Sequence, residues 1–199
     1  MNMMIKRAPS LLLSLFLSLQ LASSAHAADL KSGVFEPPRP APELALVTSS
    51  GKPFRLADYR GKVVILEFGY THCPAICPTL LATLAQARAL MKSQAARVQV
   101  VFVTVDPARD DNARLAAWLP HFDPAFVGLT GNGQQVGAVM KAFGITATRV
   151  PMANGGYGID HSSYLYFIDP KGILRALMPF GRPAADIAHD ARVLLEEGA

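Results

Sequence analysis

The chain has 199 residues, 51% of them apolar and 17% charged. That length suits one globular domain with a short appendage, and a chain this apolar is not intrinsically disordered throughout. Nineteen basic and 15 acidic residues give a formal charge of +4, but no run of Lys and Arg tracks a helix or strand, which argues against a nucleic-acid partner.

The first 27 residues read as a targeting segment. Lys6 and Arg7 form a charged start, residues 11–22 are leucine-rich, and Ala25-His26-Ala27 offers small residues where a signal peptidase reads them. Cleavage after Ala27 is expected, and it leaves 17 basic against 15 acidic residues. The alternative is an uncleaved inner-membrane anchor, but the apolar stretch falls short of the roughly 20 residues that span a bilayer. No cysteine lies near the cleavage site to carry a lipid. The expected destination is the periplasm, where disulfides persist.

Residues 28–43 carry Pro37, Pro38, Pro40 and Pro42. Proline lacks the donor that helices and ladders need, so a flexible lead-in is expected, with the folded domain starting near Leu44. Residues 44–48 and 54–56 flank a Ser-Ser-Gly-Lys turn and predict a short hairpin. The run KVVILEFGY over 62–70 predicts a buried central strand. A helix is expected over 78–94, a second buried strand over 98–105, and a helix over 110–119 that Pro120 ends. A strand at 126–130 and a helix at 134–143 follow, with Gly144 as its C-terminal cap. Asn154-Gly155-Gly156 is a turn signal inside 145–160, read as an inserted hairpin. Residues 163–168 and 173–178 form a terminal hairpin around Asp169-Pro170-Lys171-Gly172, and 183–197 a last helix. Crossover helices followed by an antiparallel hairpin imply an α/β fold with a mixed central sheet flanked by helices. This is the element order of a thioredoxin-like domain, with an N-terminal hairpin and an inserted hairpin as additions.

Both cysteines lie in Gly69-Tyr70-Thr71-His72-Cys73-Pro74-Ala75-Ile76-Cys77-Pro78, straight after the best strand. Pro78 suits the first residue of a helix, which puts Cys77 at the N-cap and Cys73 in the loop before it. Thiolates there gain from the helix dipole and free N–H groups. Three readings compete. A structural disulfide would close a very small loop and restrain little of the unfolded chain. A redox dithiol is the second. A soft-metal site is the third, since two thiolates favour Cu(I) or zinc, and a metal that also cycles to Cu(II) calls for a third ligand, preferably imidazole.

His72, His121, His161 and His189 are the choices. His189 has charged neighbours on the last helix, and His121 sits at a helix end. Both read as surface residues. His72 adjoins Cys73, but neighbouring side chains in an extended segment point apart. His161, in Asp160-His161-Ser162-Ser163, precedes the strand that opens the terminal hairpin. In a thioredoxin-like sheet that strand starts beside the cysteine loop, so His161 is the best candidate for a third ligand.

The blocks GYTHCPAICPTL, VDPARD at 105–110 and DHSSYLYFIDPKG at 160–172 together resemble the Sco/SenC family of copper chaperones, from about Leu44 to the C-terminus. The resemblance implies a thioredoxin-like fold and copper held by Cys73, Cys77 and His161. It also implies assembly of the CuA centre of cytochrome c oxidase, by delivering copper, by reducing the target's cysteines, or both. The partner it implies is the CuA-bearing oxidase subunit, and whether another periplasmic copper chaperone supplies the copper is left open. The family commonly has an acidic residue where this chain has Ala75. Asp106 and Arg109 read as a turn with a local ion pair.

An enzyme, a thiol–disulfide oxidoreductase, is the second function reading. Thioredoxin-type enzymes carry CxxC after an aromatic residue and a cis-proline before the terminal hairpin. Here the spacing is CxxxC, His72 precedes Cys73, and Ser162-Ser163 stands where that proline would fall. No helix face looks spare enough to demand a dimer, so a monomer is expected.

Overall fold

The computed structural model describes residues 30–153 and 155–198. The targeting segment expected over 1–27 lies outside the described residues, as does Asn154 of the turn signal. The strands are β1 (Gly33–Pro40), β2 (Val47–Thr48), β3 (Val63–Gly69), β4 (Val98–Thr104), β5 (Val127–Thr130), β6 (Ala147–Pro151), β7 (Tyr157–His161), β8 (Tyr164–Ile168) and β9 (Ile173–Pro179). The helices are α1 (Ile76–Leu90), α2 (Asn112–Trp118), α3 (Gly133–Phe143) and α4 (Ala184–Glu197).

Every residue of β3 is buried, as a strand covered on both faces must be. It pairs in parallel with β4, from Val63↔Val98 to Gly69↔Thr104, and antiparallel with β8. The full sheet runs β1-β9-β8-β3-β4-β5-β2. This is the expected mixed, thioredoxin-like sheet. Alternation along β3 splits its side chains between two cores. Val63 and Ile65 pack with Leu81, Leu84 and Leu194 of α1 and α4, while Val64, Leu66 and Phe68 pack with Val136 and Phe143 of α3.

The inserted hairpin is present as β6 and β7, which form a sheet of their own, from Ala147↔His161 to Pro151↔Tyr157. Gly144 caps α3 with φ of 70°, a conformation glycine adopts without strain. Pro120 stands in a short 3-10 turn after α2.

The proline-rich lead-in is corrected. Residues 33–40 are not a free tether but the edge strand β1, antiparallel to β9. Gly33 and Val34 pair with Leu177 and Ala176, Arg39 and Pro40 with Leu174 and Ile173, and the register shifts in between. Pro37 and Pro38 fall in that irregular stretch on the sheet edge, where no ladder donor is required. The fully buried carboxylate of Asp190 on α4 holds the start of this segment. It accepts from the N–H groups of Lys31 (2.8 Å) and Ser32 (2.9 Å) and from the Ser32 hydroxyl (2.5 Å). The ordered body therefore begins well before Leu44. The hairpin expected around Ser49–Lys52 is reduced to a fold-back, with the Phe54 N–H donating to the Leu46 carbonyl at 2.9 Å. Its strand β2 takes β5 as its ladder partner.

Candidate metal centre

β3 delivers the chain into the cysteine loop through Gly69, where a side chain would not fit. A Cβ there would stand 2.9 Å from Cys77 Sγ and 2.9 Å from the Phe102 ring. The loop is then pinned by Asp110, a fully buried residue of the VDPARD block. Its carboxylate accepts from the Thr71 N–H (2.9 Å), the Thr71 hydroxyl (2.6 Å) and the Thr104 hydroxyl (2.8 Å). His72 turns toward Asp110, with Nδ1 3.7 Å from its carboxylate.

α1 starts two residues earlier than expected. Ala75 is its N-cap, so Cys77 is the second helical residue rather than the cap. Pro78 is tolerated as the third, because the first-turn amides have no partner within the helix. Ala75 offers no side-chain acceptor to these amides. The sulfur of Cys73 takes that place, accepting from the Cys77 N–H at 3.4 Å. Hydrogen bonds from the Cys77 thiol and from the N–H groups of Cys77, Ala75 and Ile76 lower the Cys73 pKa to about 5, against its partial burial. Cys77 moves the opposite way, raised by its bond to Cys73, by burial and by the negative potential of Glu67. Both cysteines are free. The amide contact and the greater exposure favour the anion on Cys73, and burial favours the thiol on Cys77.

His161 ends β7, and its Nε2 lies 3.8 Å from Cys77 Sγ. Its Nδ1 is 2.9 Å from the Ser162 carbonyl. A carbonyl only accepts, so the ring hydrogen sits on Nδ1 and the Nε2 lone pair faces the sulfur, the arrangement of a metal-ligating imidazole. The Tyr70 ring meets the imidazole edge to face at 5.9 Å. Among the described residues no three His, Cys, Asp or Glu side chains converge closely enough to hold an ion as they stand. The 3.8 Å separation nevertheless suits a shared metal. Sulfur and nitrogen at about 2.3 Å and 2.1 Å from one ion stand about 3.6–3.8 Å apart at tetrahedral to trigonal angles. His121 and His189 lie elsewhere, beside the Trp118 carbonyl and Asp190.

Two features escape a reading of the sequence. Glu67 is 1% exposed and neither carboxylate oxygen has a hydrogen-bond partner. Burial first, then Cys73, holds its pKa well above the usual carboxylate range. Strand alternation puts it on the same face as Gly69 and hence toward the start of α1. Its only trace in the sequence is one acid inside an otherwise apolar run. Asp106 and Arg109 do form the expected turn, with the Arg109 N–H donating to the Asp106 carbonyl at 3.1 Å and their side chains paired. They also reach Tyr157 on β7, which sequence spacing does not reveal.

Over residues 36–196 the sequence matches the family profile described as SCO1/SenC. The chain belongs to the SCO1/SenC family. This SCO1/SenC chain is 35% identical over 153 residues to the mitochondrial SCO2 homolog of Mus musculus, a match spanning 75% of this chain and 60% of that protein. It is 36% identical over 135 residues to an SCO2-like protein of Rickettsia felis, covering 65% and 64%. Against the structure of Bradyrhizobium japonicum ScoI with copper bound it reaches a TM-score of 0.69 at 30% identity, over 82% of this chain and 98% of that one. The chain therefore spans less than two thirds of the length of these two sequence relatives.

Proposed function

We propose that this chain is a periplasmic copper metallochaperone that assists assembly of the CuA centre of cytochrome c oxidase. Copper is its cargo, held by the sulfurs of Cys73 and Cys77 and by Nε2 of His161. The observation that carries this reading is the His161 imidazole, hydrogen-bonded at Nδ1 and turned with Nε2 3.8 Å from Cys77 Sγ. Two thiolates suit Cu(I), and the added nitrogen suits Cu(II). The copper-bound relative supports the choice of metal. A groove lined by Thr148, His161, Tyr164 and Phe180 keeps the imidazole within reach of a partner. The protein acts as a monomer, exported by residues 1–27 and processed after Ala27. It hands copper to the CuA-bearing subunit.

The test compares Cu(II) affinity and absorption for the wild type and His161→Ala. Cu(I) needs only the two sulfurs, so its binding weakens but survives in the variant, while Cu(II) binding falls much further. Equal Cu(II) binding by the two proteins would remove His161 from the site.

A second reading is favoured by the Cys73 thiolate with the Cys77 thiol behind it. Such a pair can reduce a target disulfide. Cys73 attacks, one target thiolate leaves, and Cys77 then displaces the other, leaving a Cys73–Cys77 disulfide and two target thiols. Reduced protein, with and without copper, added to an apo CuA domain separates the two activities when metal transfer and thiol oxidation are followed independently.

A further inference from the structure

The proposed copper site is split between two sheets. The cysteines follow β3 of the seven-stranded sheet, while His161 ends β7 of the two-stranded sheet. The two sheets share no ladder. The backbone ties His161 to the main sheet only through Ser162 and Ser163, which lead into β8, and upstream of it a small set of side chains joins β7 to the body.

Asp106, just past the end of β4, is 1% exposed and stiffened by its own N–H, which donates to the Thr104 hydroxyl at 2.9 Å. Its carboxylate faces the hairpin. The Tyr157 hydroxyl donates to Oδ1 at 2.9 Å, and Arg149 of β6 stands 3.9 Å away. Arg109 pairs with the same carboxylate, donates from Nη1 to the Tyr157 carbonyl at 2.9 Å, and lies 3.7 Å over the Tyr157 ring. The same guanidinium lies 5.6 Å from the centre of the Tyr70 ring. Tyr70 completes the bridge: its hydroxyl accepts the Ile159 N–H at 3.1 Å, and its ring meets His161 at 5.9 Å. The anchored residues 157 and 159 are in register with His161 on one strand, so their positions fix its own.

We infer that Asp106, Arg109 and Tyr157 form a positioning clamp that sets where His161 stands relative to Cys77, and so governs the imidazole's share of copper binding. The inference rests on the copper reading above. The clamp touches neither sulfur. It acts on Cu(II), which depends on nitrogen, and leaves Cu(I) retention and the dithiol couple alone.

The experiment uses purified full-length protein, Cu(II) alone as the probe, and Tyr157→Phe, Arg109→Gln and His161→Ala beside the wild type. Tyr157→Phe keeps the ring stack and removes only the hydroxyl. The expected result is a loss of Cu(II) affinity of about 10-fold, the scale of outer-shell support for a metal ligand. The thiolate-to-Cu(II) absorption band and the EPR pattern should move toward those of His161→Ala. Arg109→Gln should move the same way. Thiol–disulfide potential and Cu(I) binding should match the wild type in both. Wild-type Cu(II) spectra and affinity in both clamp variants, with a change only in His161→Ala, would overturn the clamp and leave the ligand assignment standing. A wild-type spectrum in His161→Ala would overturn imidazole ligation, and the clamp with it. An equal shift in Cu(II) binding and dithiol potential would also overturn the proposal, because the clamp would then be acting on the whole site.

Discussion

The backbone N–H of Cys77 points at the sulfur of Cys73 across 3.4 Å, and this contact joins the Cys77 thiol bond and the burial of Cys77 in setting the two cysteines apart. It places Cys73 at the mouth of the α1 N-terminus, where amide dipoles and the neighbouring thiol favour its anion. Cys77, one helical turn on, is 1% exposed.

Alkylation should report that division. In reduced, copper-free protein Cys73 should react with iodoacetamide with a midpoint near pH 5, where its thiolate forms, while Cys77 stays protected. Cys77→Ala removes the thiol that bonds to Cys73, so the Cys73 midpoint should climb. Mass spectrometry of the modified peptide against pH measures both. Equal rates at the two cysteines would show that the helix terminus does not select between them.

Glu67 should make stability depend on pH in a definite direction. Its folded pKa lies above the unfolded value near 4.5. The folded state therefore holds the proton more tightly, and stability is lost as pH rises from about 4.5 through the folded pKa. Glu67→Gln carries no charge to bury. Relative to the wild type it should gain stability with rising pH, by up to about 1.4 kcal/mol per pH unit within that window. Urea unfolding of both proteins between pH 4 and pH 8 supplies the comparison. A difference that does not change with pH would show that Glu67 keeps no perturbed proton.

Gly69→Ala should disturb the site through packing alone. The added methyl group would meet the Cys77 sulfur and the Phe102 ring, both at 2.9 Å. Overpacking of this kind costs about 1–3 kcal/mol, and the displaced sulfur should weaken copper binding as well. Calorimetry and copper titration of the variant test the two effects together. Wild-type stability with wild-type copper affinity would mean that the loop yields freely at this point.

Copper and the disulfide should exclude each other, since oxidation of Cys73 and Cys77 removes both thiolate ligands. Thiol counting on copper-loaded and on oxidised protein is the measurement. Stoichiometric copper on fully disulfide-bonded protein would contradict a shared site.

Asp190→Ala should loosen the N-terminal edge. It removes the acceptor for Lys31 and Ser32, at a cost of about 1–3 kcal/mol. Amide hydrogen exchange should rise over residues 31–40 and little elsewhere. Unchanged protection there would show that β1 holds through its ladder to β9 alone.

Local pattern was enough to read the central strands, the four helices, the inserted and terminal hairpins, and the two cysteines as one chemical motif. The physical reason is that each rests on a short-range rule. Buried strands need unbroken apolar runs, as in KVVILEFGY. A glycine in the left-handed region ends a helix, as Gly144 does. Cysteine, proline and histidine in a tight block have few structural uses. What only the tertiary structure decided depends on partners far away in the chain. Proline content at 37–40 predicts a tether, yet β9 and the Asp190 carboxylate, more than 130 residues on, make it an edge strand. Pro78 is compatible with any of the first helical positions, so the start of α1 at Ile76 was set by how the Cys73 loop packs, with Asp110 holding Thr71 from 39 residues away. The link from Asp106 to Tyr157 spans 51 residues, and the contact of Cys77 with His161 spans 84. The burial of Glu67 without a partner likewise follows from the sheet and helices around it. Local sequence specifies which residues can do chemistry, and the packing of distant segments specifies which of them meet and which are left without a partner.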